Sequence, residues 1–554
     1  MRSHRLAASF LALLLPSLAF AVAPPRPAAT MPFTKLAPAK LVPEQCVLRY
    51  PISTTSPECQ AYFDQGLGYL YSYVWMEAAR SFETALRHDA NCPLAWWGLS
   101  RALERWGRGD ANKALLRAWE LRELASPREQ LLIKARMQEK GQLPGVGDGE
   151  QRKQKAIATI DELLSLYEDD EEGWFYRAQL AGGSGLFGGQ TSSVPFYKAL
   201  LRINPLHPGA NHELLHYYEN VQRPALGWIH AENYIRSSPG LPHAFHMQAH
   251  LATRLGRWDR TSDRSARAIE LQRAYHRREN VKPREDHQYS HHLETLLLSL
   301  IHDGRFLEGR AIIKECQEAG FQLRRQFFRL YLAERDYAAA LQVADELRRG
   351  KADASSRSRG DRRTGNDKLL GSYLTALVYL KRGEPARALP EIEVLKQAFQ
   401  HNKDRKAELN LLEVQGLYLC AIGETEAGLK LLYRTVERTK DDYSHHAWGN
   451  GAYYMEAWGI AALQAGKLDI AEEAFHEALA HDPGSVRAAL GMQILCERQG
   501  RSEEVQRFAA LAQRCWQRAD PGYLEAERAA MRGENVGKPD PTRQPATPAS
   551  AARK

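Results

Sequence analysis

Residues 450–483, NGAYYMEAWGIAALQAGKLDIAEEAFHEALAHDP, hold a unit that recurs along most of the chain and restricts it to one kind of architecture. Apolar residues at helical spacing run up to a break at Gly466. A second helical run then places Ala471, Phe475 and Ala478 on one face and ends before Pro483. Near the other end, Tyr62, Gly66 and Tyr69 precede Ala78, Phe82 and Ala85 in the same order, and a further helix opens at Trp96 and Trp97. Comparable units read at 207–240, 241–272, 286–317, 321–349, 370–400, 405–438 and 485–517, with looser matches between 95 and 205. A single helical hairpin cannot bury its apolar face, whereas stacked hairpins bury it against one another. The expected fold is therefore an all-α array with a continuous core.

The unit resembles the tetratricopeptide repeat, which has a small residue midway along its first helix and small, aromatic, small and proline positions in its second. Gly459 stands at the first-helix slot, Phe475 at the aromatic one and Pro483 at the terminal one. The resemblance implies an α-solenoid, a right-handed superhelix whose concave groove is lined by the first helices.

The N-terminus, MRSHRLAASFLALLLPSLAFA, carries Arg2 and Arg5, an apolar run from Leu6 to Ala19 and a small-x-small pair, Ala19 and Ala21. This is the layout of a cleavable secretory signal, with cleavage expected after Ala21 and delivery to the periplasm or beyond. No cysteine follows the run to take a lipid, and no integral membrane segment is expected after cleavage. The expected organisation is a signal peptide at 1–21, a Pro/Ala-rich linker at 22–45 and an N-terminal array at 46–346. A basic loop at 347–369, a C-terminal array at 370–534 and a disordered tail at 535–554 complete it.

Much of the net charge of +8 collects in RRGKADASSRSRGDRRTGNDK at 348–368. A Gly/Ser-rich basic run without aromatics reads as a solvated loop, so no nucleic acid partner is expected. The cysteine count is 7. Cys46 and Cys59 bracket a Pro/Ser/Thr-rich stretch that could close into a small loop, but pairing among Cys46, Cys59 and Cys92 stays open. Cys316, Cys420 and Cys496 fall within helical patterns and read as small buried apolar residues.

The most informative constellation is a histidine ladder, His212 and His216 in NHELLHYYE, then His243, His246 and His250 in PHAFHMQAH. The separations from His212 to His246 and from His216 to His250 are both 34 residues, so each pair occupies equivalent places on successive first helices. Aligning Gly256 with Gly304 sets His291 opposite His243 and Glu294 opposite His246, with His287 and His292 near the start of that third helix. Imidazoles at i and i+4 share a helix face and suit a divalent transition metal such as zinc. The expected ligands are His212, His216, His246 and His250, with His243 and His291 as ligand or supporting residue. Glu219, Arg254 and Glu294 are expected in the groove. The same histidines could instead hydrogen-bond one another within a polar groove, or respond to pH beside an anionic ligand.

His212, Glu213 and His216 also spell HExxH, in which the glutamate activates a zinc-bound water. No clear third ligand follows, although Glu219, Glu232, His246 and His250 are candidates, and Met247 replaces Glu213 in the next unit. GGSGLFGG at 182–189 contains GxGxxG but has no strand before it, so it reads as an inter-helix loop and no dinucleotide site is expected.

The segments FDQGLGYLYSYVWMEAARSF, CPLAWWGLS, HPGANHELLHYYE and PHAFHMQAHLATRLGRW also resemble a family of exported bacterial tetratricopeptide proteins with no assigned activity. That resemblance implies that the ladder is a family feature. Its members often have histidine where this chain has Tyr71 and need no acid at Glu213.

The first functional expectation is a non-enzymatic scaffold binding a peptide, partner protein or small ligand in its groove. The second is a periplasmic metal-binding protein, and the third a zinc hydrolase with Glu213 as its base.

Overall fold

The computed structural model describes residues 30–182, 190–350, 367–401, 403–443 and 450–539. The segment read as a signal peptide, residues 22–29 of the expected linker, residues 183–189 of the glycine-rich loop, most of the basic loop and the tail from 540 lie outside the described residues.

The described residues form helices and no strands. Helices α1 (Pro57–Tyr71), α3 (Pro93–Trp106), α5 (Pro127–Glu139) and α7 (Glu171–Gly182) pair with α2 (Trp75–His88), α4 (Ala111–Glu120), α6 (Gly149–Leu166) and α8 (Val194–Ile203). Next, α9 (Pro208–Asn220) pairs with α10 (Pro224–Ser237), α11 (Pro242–Arg254) with α12 (Trp258–Glu279), α13 (Tyr289–His302) with α14 (Phe306–Glu318) and α15 (Arg324–Ala333) with α16 (Tyr337–Arg348). The C-terminal pairs are α17 (Asp367–Lys381) with α18 (Pro385–His401), α19 (Arg405–Ala421) with α20 (Thr425–Thr439), α21 (Tyr453–Gln464) with α22 (Leu468–His481) and α23 (Val486–Gln499) with α24 (Ser502–Cys515). A last helix, α25 (Tyr523–Met531), packs on α21 and α23. Each second helix also packs on the next first helix, which brings first helices side by side, α9 on α11 and α11 on α13. No described helix is long and apolar enough to cross a membrane.

Prolines start several of these helices, among them Pro57, Pro93, Pro208 and Pro242, at a position where the missing N–H has no intrahelical partner to lose. The small residues have a packing reason. Phe82 is fully buried, and a Cβ added at either Gly66 or Gly98 would lie 2.7 Å from its ring. Phe475 is held in the same way between Gly459 and Gly491, where an added Cβ would lie 2.7 and 2.3 Å from its ring. The glycines of two successive first helices thus form the slot for the aromatic ring of the second helix between them.

Three expectations change. The stretch read as a linker is, from residue 31, packed on α1 and α2. Phe33 and Thr34 donate backbone N–H groups to Glu83 at 2.6 and 2.8 Å, Ala39 donates to Thr84 at 2.8 Å and Val42 to Gln65 at 2.8 Å. Side chains on α1 and α2 supply acceptors that the irregular leader lacks, and this tethers it. The Cys46–Cys59 loop is not what the fold brings together, because Cys46 lies against Gly68 and Ser238 while Cys59 lies beside Cys92 and Asp89. All seven cysteines are free thiols. Cys316 and Cys496 are buried as expected, whereas Cys420 is partly exposed.

The array also closes on itself. Trp258 at the start of α12 donates to Asp482 at 3.1 Å, Trp516 donates to the carbonyl of His302 at 2.7 Å, and Arg518 reaches Asp303 at 2.6 Å. Gly256 is required at this seam, since its φ is +62° and a Cβ there would lie 2.5 Å from an Asp482 oxygen. Burial, reinforced by Glu456, raises the Asp482 carboxyl to about 7. The folded chain therefore holds that proton more tightly than the unfolded chain, whose carboxyl titrates near ~3.9. The stabilisation is complete below that value and is lost as pH rises through about 7. Asp482→Asn keeps an acceptor for Trp258 without the charge, so it is expected to raise the melting temperature at pH 8 and to leave it nearly unchanged at pH 4.

Candidate metal centres

Helices α9, α11 and α13 are consecutive first helices, and each carries histidines toward the next. On α9, His212 and His216 lie one turn apart, and His243 in the first turn of α11 joins them. On α11, His246 and His250 lie one turn apart, and His291 in the first turn of α13 joins them. Within each triad the candidate ligand nitrogens all lie within 4.8 Å of one another. His243 Nε2 is 3.0 Å from His212 Nε2, and His250 Nε2 is 2.7 Å from His246 Nε2.

The opposite ring edges fix which nitrogen faces inward. His212 Nδ1 lies 2.6 Å from the carbonyl oxygen of Tyr71, which can only accept, so Nδ1 carries the proton and Nε2 presents a lone pair. His250 Nδ1 lies 3.2 Å from Glu219 and His216 Nδ1 lies 3.5 Å from the other oxygen of the same carboxylate. Glu219 therefore orients one histidine of each triad, and Arg254 pairs with it. His243 Nδ1 lies 3.3 Å from the Gln288 side-chain amide. At His246 the accounting is incomplete. If Nε2 donates to His250, the buried Nδ1 has no hydrogen-bond partner. A cation between the Nε2 atoms would meet both lone pairs at once, with the His246 proton on Nδ1, an edge that has no hydrogen-bond partner.

Electrostatics keep His212, His243, His246 and His250 neutral. Burial, with neighbouring imidazoles adding to it, holds His212, His243, His246 and His292 well below the usual histidine range. Burial likewise lowers His250, to about 4, against the pull of Glu219. Burial would raise Glu219, but His250, His216 and Arg254 outweigh it and keep the carboxylate ionised. Neutral imidazoles with an ionised carboxylate behind them are the protonation states a divalent metal requires.

The expected ligand set is thus regrouped. His212, His216, His246 and His250 do not form one site, and His243 and His291, expected as ligand or supporting residue, each complete a triad. The rungs of the ladder are offset by one helix, because the first-turn histidine of each helix reaches back to the helix before it. The ladder is also not a groove wall. His212, His216, His243, His246 and His250 are at most 8% exposed. Glu219 and Arg254, expected in the groove, are buried against each other, with side chains 7% and 4% exposed. Glu294 does border open space, beside His291 and accepting from Gln326. His292 is buried and packs on His246 with the rings tilted and their centroids 3.9 Å apart, while its Nδ1 lies 2.8 Å from Gln272. His287 stacks on Trp75 at 6.2 Å and belongs to neither triad.

The third partner of HExxH is His243 and none of the sequence candidates; Glu232 instead accepts from Trp228 at the surface. Glu213 accepts from the Tyr73 hydroxyl at 2.8 Å, and burial raises its carboxyl. Tyr73 itself escaped the sequence reading. It sits in the α1–α2 turn with φ +59°, where the α11–α12 turn has Gly256, and this left-handed conformation costs a bulky residue about 1–2 kcal/mol. Its ring lies over the first triad, 4.5 Å from His212 and 5.9 Å from both His216 and His243. Its turn position, normally glycine, was the available signal.

A cavity of about 1440 Å³ lies among the first helices from α13 onward, bordered at one end by His291, Glu294, Thr295, Arg325, Gln326 and Arg329.

A profile of the tetratricopeptide repeat matches residues 63–126 and 456–522. No curated protein matches the chain. Among solved structures, the P58(IPK) TPR domain aligns at 12% identity over 74% of this chain and 98% of its own, with a TM-score of 0.19. A human IFIT1 dimer with m7Gppp-AAAA aligns at 12% identity over 82% of this chain and 90% of its own, with a TM-score of 0.27. A monomeric IFIT1 mutant with Gppp-AAAA aligns at 12% identity over 83% and 91%, also at 0.27. The two matched segments contain the hairpins of Phe82 and Phe475, each with its ring between two glycines, and the chain is a tetratricopeptide-repeat protein.

Proposed function

We propose that this protein is a binding solenoid whose cargo or cofactor is a divalent transition metal, zinc for example, held at two trihistidine centres one repeat apart. His212, His216 and His243 would hold one ion and His246, His250 and His291 the other. The observation that carries this reading is the convergence of ring nitrogens, three of them on rings whose outer edges face the acceptors Tyr71 and Glu219. Zinc–nitrogen bonds of about 2.0–2.1 Å put tetrahedral ligand atoms about 3.3 Å apart, and the Nε2 pairs lie at 3.0 and 2.7 Å. Three imidazoles leave a fourth position, where a bound metal would supply Lewis acidity.

Arrays of this repeat are binding scaffolds, and binding is the activity proposed. Burial of the ladder removes it from the reach of a peptide lying in a groove. The hydrolase reading is disfavoured because Glu213 is engaged by Tyr73. We further propose that the protein works in the periplasm or outside the cell, where its N-terminal segment would direct it.

Titrating the metal-stripped full chain with cobalt(II) tests the reading. Visible absorption of four-coordinate cobalt is expected to rise to saturation at two equivalents, and Glu213→Gln is expected to leave that endpoint unchanged. A chain that develops no such band would overturn the proposal.

A further inference from the structure

Two cysteines far from the histidine ladder in sequence are brought together by the same stacking of first helices. Cys59 lies in the first turn of α1, where its backbone N–H donates to the Ser56 hydroxyl at 3.1 Å. Cys92 caps α3 ahead of Pro93. Both thiols therefore stand at the N-terminal ends of adjacent first helices, where the helix dipole favours a thiolate. Both are buried, and their sulfurs and an Asp89 oxygen lie within 4.8 Å of one another.

The hydrogen bond between the two thiols lowers Cys59 and raises Cys92, and burial adds to the rise at Cys92. Cys92 thus holds the proton that the pair shares, and Cys59 is the better nucleophile. Asp89 is engaged elsewhere, one oxygen accepting from the Thr54 hydroxyl at 2.6 Å and the other from the Asn91 N–H at 3.1 Å. Cys46 is no rival partner. It is held beside Gly68, about 13.5 Å further along α1 than Cys59.

We infer that Cys59 and Cys92, free thiols in this structure, are the site of a disulfide that staples the first hairpin of the array onto the second. The inference takes an oxidising compartment from the reading above and nothing from the metal centres. The oxidant is itself a disulfide, such as oxidised glutathione or a thiol oxidoreductase. The Cys59 thiolate attacks one of its sulfurs and releases the other as a thiolate. Cys92 then gives its proton to that thiolate, and its sulfur attacks Cys59 and expels the second thiolate, which takes up the proton Cys59 had released. The chain loses two electrons and two protons, and the oxidant gains them as two thiols. Because both sulfurs are buried, exchange takes place before the hairpins pack or when they open locally. The bond encloses α1 and α2, so it restricts that whole hairpin in the unfolded chain.

The test equilibrates the full chain with oxidised or reduced glutathione, blocks free thiols by alkylation in denaturant and maps the peptides by mass spectrometry. Seven thiols are expected in the reduced chain and five in the oxidised one, with the Cys59 and Cys92 peptides linked. Cys46→Ser is expected to keep the link and Cys92→Ser to abolish it. Protease cleavage within α1 and α2 is expected to be on the order of a hundredfold slower in the oxidised chain. Seven thiols at every glutathione ratio, a bridge that includes Cys46, or thiols released by a chelator and not by reductant would each overturn the site. Equal cleavage of the oxidised and reduced chains would overturn the staple. None of these outcomes alters the metal count of the histidine triads, and pairing by added glutathione does not depend on where the protein works.

Discussion

Replacing Glu219 by glutamine is expected to weaken metal binding at both centres together, each by ten- to a hundredfold. That range is what loss of a supporting carboxylate costs a histidine-ligated metal. One carboxylate faces the Nδ1 of His216 at 3.5 Å and of His250 at 3.2 Å, so it orients a ligand in each triad. A glutamine amide has one accepting oxygen, and it can serve only one of those N–H groups. It also deprives buried Arg254 of its carboxylate. Competition against a chelator of known affinity, run on wild type and variant, reads both constants. Weakening of one centre alone would show that Glu219 is not shared.

Phe82→Ala is expected to destabilise the N-terminal repeats by about 3–5 kcal/mol, the usual loss for emptying an aromatic site in a packed core. The slot cannot collapse, because Gly66 and Gly98 on either side carry no side chain to fill it. The slot is built from the first helices of two adjacent repeats, so the loss falls first on the repeats that flank the substitution. Chemical denaturation followed by Trp fluorescence is expected to separate an early N-terminal phase from the rest. A single unshifted transition would contradict the slot as a source of stability.

The repeat architecture was legible because its signal is local and periodic. Gly459, Ala471, Phe475 and Pro483 each answer to contacts within one or two units, and the resulting all-α array is the one observed. The 34-residue spacing of the histidines, and the equivalence of His243 and His291 through Gly256 and Gly304, were legible for the same reason. Their grouping was not, because it depends on which way each first helix leans on its neighbour. That stagger, and not sequence spacing, puts His243 with His212 and separates His246 from it. Tyr73 stands 139 residues before His212 and reaches it only through the curvature of the superhelix, to which α1 and α9 are brought together. The closure of Asp482 on Trp258 is equally long-range. Burial of the ladder followed from these distant contacts, which no single repeat encodes.

The central claim rests on metal content. The full chain, purified without a histidine tag or chelator and refilled with zinc, is expected to carry two equivalents by mass spectrometry. His243→Ala and His291→Ala are each expected to carry one, and the double variant none. No zinc in wild type, or equal content in all four proteins, would contradict the assignment of the triads as metal centres.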